Sequence, residues 1–271
     1  FGGGVRTPEL HSDSLEGQLA NIAGLKLVAP ATAADAKGLL ATSVRDPDPV
    51  IFLEPLRGYR GIRGEVPDGE HLVPLGEARE ARTGDEVVII AWSHQVELAC
   101  RASDALAAEG LSVAVLDLRS LVPLDLAGIA AAVDRCGRAV VVEEAVQTGG
   151  FAGEVVATIV EECFWSLEAP VVRISGYDVP YPVGQLEDAY VPDEARIAAA
   201  VRRLCEAPGR AREARQRGLV EVLPSWRPRD HDQRGAQLLN ASASWPRSLT
   251  TMCPGGWSPT PPTWARTSPP A

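Results

Sequence analysis

From Glu86 onward the sequence alternates short apolar runs with amphipathic stretches, and few folds accept that alternation. Val87–Ala91, Val113–Leu116, Ala139–Val142 and Val171–Ile174 are rich in β-branched residues, and each is too short for a buried helix. Between and after them, residues 95–108, 126–135, 151–164 and 194–205 repeat apolar residues at helical spacing. In the first of these stretches Val96, Ala99, Cys100, Ser103, Leu106 and Ala107 fall on one face, as in a helix that covers a sheet. Nearly continuous apolar strands are those buried on both faces of a parallel sheet. Strand–helix repetition then predicts a doubly wound α/β domain over residues 76–207.

Upstream, Leu25–Val28 reads as a strand ending before Pro30. Thr32 caps a helix with Asp35 in its first turn, and that helix runs to about Arg45. Val50–Leu53 reads as the next buried strand, and residues 55–84, rich in Gly, Pro and charge, as a linker. Residues 1–75 are therefore expected to hold part of a first α/β domain plus the linker. The opening Phe1-Gly2-Gly3-Gly4-Val5-Arg6 has no initiator Met and no signal-peptide pattern, so a preceding segment is expected.

Composition narrows the function classes. No apolar run approaches the ~18 residues that would cross a bilayer, so no membrane span is expected. A formal net charge of −10 argues against general nucleic-acid binding, which depends on Lys and Arg neutralising phosphates. The five cysteines are scattered without a Cys-x-x-Cys pair, so neither a disulfide framework nor a zinc site is signalled, and a reducing cytoplasm fits. Residues 208–271 differ from the rest, with nine Arg against four acidic residues and ten of the 22 Pro; they are expected to be disordered.

No self-sufficient catalytic motif is present: there is no Walker loop, no Gly-x-Ser-x-Gly and no His-rich metal cluster. Glu143 and Glu144 end a central strand, where open α/β sheets place their sites, with Gly149-Gly150 just beyond. By themselves they read better as a helix-start turn with solvated carboxylates. At Ser43-Val44-Arg45-Asp46-Pro47-Asp48-Pro49 the helix from Thr32 stops. Its unpaired last carbonyls and two carboxylates form an all-oxygen nest suited to a hard cation. A Pro-stiffened helix stop with solvated Asp side chains explains the same residues. His11 precedes a probable helix start, where a surface or capping role is the commoner one for a lone histidine.

Several stretches together resemble the beta subunit of the first, decarboxylating component of 2-oxoacid dehydrogenases: Gly24–Pro30, Asp35–Leu40, Arg45–Pro49 and Asp117–Asp125. Glu143–Ala145, Thr148–Phe151, Glu161–Phe164, Leu167–Pro170 and Gly176–Asp178 resemble the branched-chain members more than the pyruvate members. The resemblance implies a partial pyrimidine-binding domain followed by a complete transketolase C-terminal-like domain. It also implies thiamine diphosphate shared with an alpha subunit, magnesium held on that subunit, and an alpha2-beta2 heterotetramer that passes acyl groups to a lipoyl acyltransferase core. Under it His11 is the active-site histidine facing the cofactor and the incoming lipoyl group. Ser43, Val44, Asp46 and Asp48 become a structural potassium site, with Asp48 where Asn is common. The family's cofactor-activating glutamate is expected upstream of Phe1. A pyruvate-specific subunit, a transketolase or deoxyxylulose-phosphate-synthase relative and a non-catalytic assembly module remain the alternatives.

Overall fold

The computed structural model describes residues 1–4, 6, 9–182 and 184–206; the expected disorder of residues 208–271 lies outside the described residues. Two short helices, α1 (Glu9–Ser12) and α2 (Glu16–Ala20), lead into β1 (Lys26–Val28), α3 (Ala33–Arg45), β2 (Val50–Phe52) and the single turn α4 (Gly58–Gly61). The chain continues through β3 (Arg79–Arg82), β4 (Val87–Ala91), α5 (Gln95–Ala107), β5 (Val113–Asp117), β6 (Ser120–Val122), α6 (Leu126–Cys136) and β7 (Ala139–Val146). It ends with α7 (Ala152–Cys163), β8 (Val172–Gly176), α8 (Glu187–Tyr190) and α9 (Glu194–Glu206).

The larger sheet has the order β3-β5-β4-β7-β8. Its three pairings from β5 to β8 are parallel and β3 is antiparallel at the edge. β4, β5 and the first part of β7 are buried on both faces, as their continuous apolar runs require. One face packs on α5 and α9 through Val96, Ala99, Leu106, Ile197 and Val201, the other on α6 and α7 through Ile129, Val133, Val155 and Ile159. The domain is doubly wound as expected. On α5 the buried face runs through Ala102, while Cys100 is only half-buried and Ala107 is exposed.

Two strands escaped the sequence pattern. Within the expected linker, β3 alternates half-buried and exposed residues and pairs with β5, so this part of 55–84 belongs to the sheet. β6 turns away at Arg119, which has a φ of 57°, and joins β1 antiparallel in a second sheet of order β2-β1-β6. The larger domain thereby contributes a strand to the smaller sheet. Thr32 caps α3 as read, its Oγ1 accepting from the Asp35 N–H at 3.0 Å. Among the described residues no helix is long and apolar enough to cross a membrane, and Cys100, Cys136, Cys163 and Cys205 are free thiols.

Candidate active site at the carboxyl ends of the sheet

The connection leaving β4 passes to the α5 face and that leaving β7 to the α7 face, so the carboxyl ends of these adjacent strands flank a topological switch point. Glu143 and Glu144 stand there, but not as solvated carboxylates: Glu143 is fully buried and Glu144 is 8% exposed. Glu143 accepts from the Ala152 N–H at 2.9 Å, at the start of α7, and from the Ser175 hydroxyl at 2.9 Å. A Cβ at Gly150 would lie 2.3 Å from its Oε1 and 2.5 Å from the Val146 carbonyl oxygen, which explains the glycine. Burial pushes the Glu143 carboxyl up to about 7, against the pull of these two donors.

The rest of the crevice is filled by the chain's own beginning. The Gly3 N–H donates to Glu144, while the N–H groups of Gly4 and Arg6 donate to the two oxygens of Glu187, the second at 3.1 Å. Arg57 lies 3.6 Å from Glu187 and 3.4 Å from the His94 ring. Burial and then the Arg57 charge push His94 down to about 4, so a histidine to which the sequence gives no better claim than to His11 sits buried and neutral. Ten residues beyond Arg6, Glu16 is buried and accepts from the Trp92 indole N–H at 3.1 Å. Burial pushes this carboxyl up to about 7 as well. Glu16 and Glu187, unlike Glu143 and Glu144, stand in no motif, so pattern reading could not find them.

His11 lies on α1 between these contacts and is exposed. Its imidazole is thus open to a group held from outside the chain, and the structure does not bring it together with the Ser43–Asp48 turn. A groove of about 700 Å³ runs beside α2, lined by Gly17, Asn21, Pro123, Gly149 and Glu154. Among the described residues no three His, Cys, Asp or Glu side chains come together as a metal site. The described side chains therefore offer no ligand set for a magnesium-bound diphosphate.

At the Ser43–Asp48 turn, Asp46 caps α3 and its N–H donates to the Ser43 carbonyl at 3.3 Å, while Val44 is exposed. The two carboxylates face a cation from the chain itself. Lys26 Nζ lies 2.7 and 2.8 Å from the oxygens of Asp46 and 3.1 Å from Asp48. Hydrogen bonding to Lys26 holds the Asp46 carboxyl below its usual range, and Asp46 in turn raises Lys26. The plain helix stop with solvated aspartates is therefore incomplete, because Asp46 is half-buried and paired with Lys26, while Asp48 stays exposed.

The raised carboxyls give a pH prediction. Glu16 ionises near 4.5 in the unfolded chain and near 7 when folded, so the native state retains a proton across that window. Its contribution to stability is full below about 4.5 and is lost as pH rises through 7. Glu143 acts in the same sense, whereas His94, neutral when folded, acts oppositely below 6.5. Glu16→Gln keeps an acceptor for Trp92 without the charge. Its melting temperature relative to the parent chain is expected to rise from pH 4.5 to about 7 and then level off; a pH-independent difference would show that Glu16 does not hold its proton.

Comparison with known proteins agrees with this architecture. The family model described as transketolase, pyrimidine binding domain matches residues 1–61, and that described as transketolase, C-terminal domain matches residues 76–197. The chain is 45% identical over 206 residues to the pyruvate dehydrogenase E1 component subunit beta of Bacillus subtilis (strain 168), covering 76% of this chain and 63% of that protein. It is 44% identical over 197 residues to the protein of the same name from Staphylococcus aureus (strain Mu50 / ATCC 700699), covering 73% and 61%. The chain thus spans less than two thirds of the length of these relatives. A solved split-gene transketolase, described as an inactive beta4 tetramer, superposes with a TM-score of 0.61 at 23% identity over 72% of this chain and 62% of its own. That likeness concerns the fold.

Proposed function

Starting from a chain made of the pyrimidine-binding and C-terminal domains of transketolase and related in sequence to 2-oxoacid dehydrogenase beta subunits, we propose that it serves in such a subunit. The observation that carries this reading is the 45% identity across both domains, together with the exposed imidazole of His11 on α1. In the proposed reaction an alpha subunit, in an alpha2-beta2 heterotetramer, supplies the thiamine diphosphate and magnesium sites, and the acyl product passes to a lipoyl acyltransferase core. The cofactor supplies the electron sink for decarboxylation. This chain's own part is to close the site from the beta side and to exchange a proton at the His11 imidazole.

The substrate follows from two unequal arguments. The relatives bear the pyruvate name, which favours pyruvate. The branched-chain alternative rests only on the resemblance of the motifs between Glu143 and Asp178, which the named relatives do not support. Co-expression of the subunit with a matching alpha subunit, followed by carbon dioxide release from pyruvate and from 3-methyl-2-oxobutanoate in parallel, decides between them. Turnover of neither, in an assembled and cofactor-loaded complex, would overturn the enzyme reading in favour of an assembly module.

Potassium at Ser43, Val44, Asp46 and Asp48 belongs to the same proposal, and there the ion would share both carboxylates with Lys26. A bound cation stabilises the folded state in proportion to its occupancy. Asp46→Ala is then expected to lower the melting temperature more in potassium chloride than in a non-binding salt of equal ionic strength. Equal losses in both would assign the turn to Lys26 alone.

A further inference from the structure

The segment that carries His11 is held on both sides by side chains of the larger domain. Upstream, the Gly3 N–H is bound by Glu144 of β7, and the Gly4 and Arg6 N–H groups by Glu187 of α8, while the Arg6 guanidinium lies 3.0 Å from Asp188. This contact admits only glycine: Gly2 and Gly4 have φ values of 79° and 96°, and a Cβ at Gly3 would fall 1.6 Å from the Tyr181 hydroxyl. Downstream, Glu16 accepts from Trp92, whose ring packs edge-on against Phe151 at 5.8 Å between centroids. Glu187 and Glu16 are each 1% exposed and Trp92 is 2% exposed, so these bonds form away from competing water.

His11 lies five residues from each anchor, Arg6 on one side and Glu16 on the other. Five residues span at most about 18 Å, so the two anchors confine where the imidazole can be presented. Glu187 does a second thing: it draws Arg57 to itself, which joins the turn after β2 to the same contact. Trp92 and Phe151 belong to the hydrophobic core, but the buried carboxylates of Glu16, Glu144 and Glu187 add no apolar surface to it.

We propose that Glu187, with Glu144 and Trp92, is a positioning residue for His11, through which the C-terminal domain sets the place of the histidine on the pyrimidine-binding side. The inference rests on the role given to His11 above. Because a displacement of about 1 Å can cost two orders of magnitude in rate, loosening either anchor should lower kcat far more than it alters KM.

The test uses the whole subunit assembled with an alpha partner and compares Glu187→Gln, Trp92→Phe and His11→Ala. Glu187→Gln is expected to lower kcat by about 10- to 100-fold with KM for the 2-oxoacid within about twofold. In hydrogen exchange of the same variant, the amides of Gly3, Gly4 and Arg6 and those of residues 9–16 should exchange faster while those of strand 87–91 stay protected. Trp92→Phe keeps an aromatic side chain, smaller than the indole and without the N–H donor, and should free residues 9–16 with the same loss of kcat. If His11→Ala keeps full activity, the role of His11 fails, and the exchange data alone then decide whether the anchors hold the segment. Parental kcat and parental exchange in Glu187→Gln, beside an inactive His11→Ala, overturn the positioning role. If Glu187→Gln exposes strand 87–91 as well, Trp92→Phe decides, and parental kcat and exchange in that variant overturn the proposal.

Discussion

Replacing His11 by Ala in the assembled enzyme is expected to lower turnover by ~10²- to 10⁴-fold, the range a positioned acid or base contributes. The same change should leave stability within about 0.5 kcal/mol, because an exposed side chain on a four-residue helix fills no part of the core. That separation makes the experiment informative. A structural or capping histidine would lose stability and activity together, whereas the proposed role loses activity alone. His11→Gln, which keeps a hydrogen-bonding side chain but cannot titrate, should be as inactive as His11→Ala. Measured by carbon dioxide release with alpha subunit, thiamine diphosphate and magnesium supplied, turnover within threefold of the parent would remove His11 from the reaction.

The second large effect is expected in folding rather than chemistry. Asp35, 3% exposed on α3, lies 2.7 Å from the Arg119 guanidinium and 3.5 Å from that of Arg79. Arg79 also binds the fully buried Asp117 at 2.8 Å, and the Arg119 N–H reaches the other oxygen of Asp117 at 3.2 Å. Two arginines and two aspartates thus tie α3 to the carboxyl end of β5, across the same boundary that β6 bridges by pairing with β1. Asp35→Ala would leave the Arg79 guanidinium with Asp117 alone and take from the Arg119 guanidinium its carboxylate partner, and burial already pushes the Asp117 carboxyl up to about 6. Removing one partner of a buried ion pair costs ~3–5 kcal/mol. The side chains of Arg79 and Arg119 are 31% and 16% exposed, so water screens part of the loss and about 3 kcal/mol is expected. Urea denaturation of parent and variant at pH 7 measures it; a loss below about 1 kcal/mol would mean that solvent already neutralises the arginines. Asp35→Asn should fall between the two, since its amide oxygen can still accept from the Thr32 hydroxyl, now 2.6 Å away.

The sequence alone determined the elements whose physics is local. Continuous apolar runs at β4, β5 and β7 can be satisfied only with both faces buried, and the helical spacing between them leaves little choice but a doubly wound parallel sheet. Thr32 and Asp35 marked the start of α3 because a cap is a contact between near neighbours. Motif likeness extended that reading to His11 and to the Ser43–Asp48 turn, whose residues lie close together in the chain.

What only the tertiary structure decided depends on partners far apart in sequence. β3 and β6 are too short to show a period, and their strand character comes from β5 and β1, which lend them hydrogen bonds. Glu143 and Glu144 looked solvated because a carboxylate's burial is set by what covers it, and Ala152, Ser175 and Gly3 are distant or unremarkable in the sequence. Lys26 could not be placed on Asp46 and Asp48 by inspection, since a parallel strand pair brings them together. Glu16 and Glu187 carry no motif at all: each acquires its role only when folding removes it from water and presents it with donors far away in the sequence.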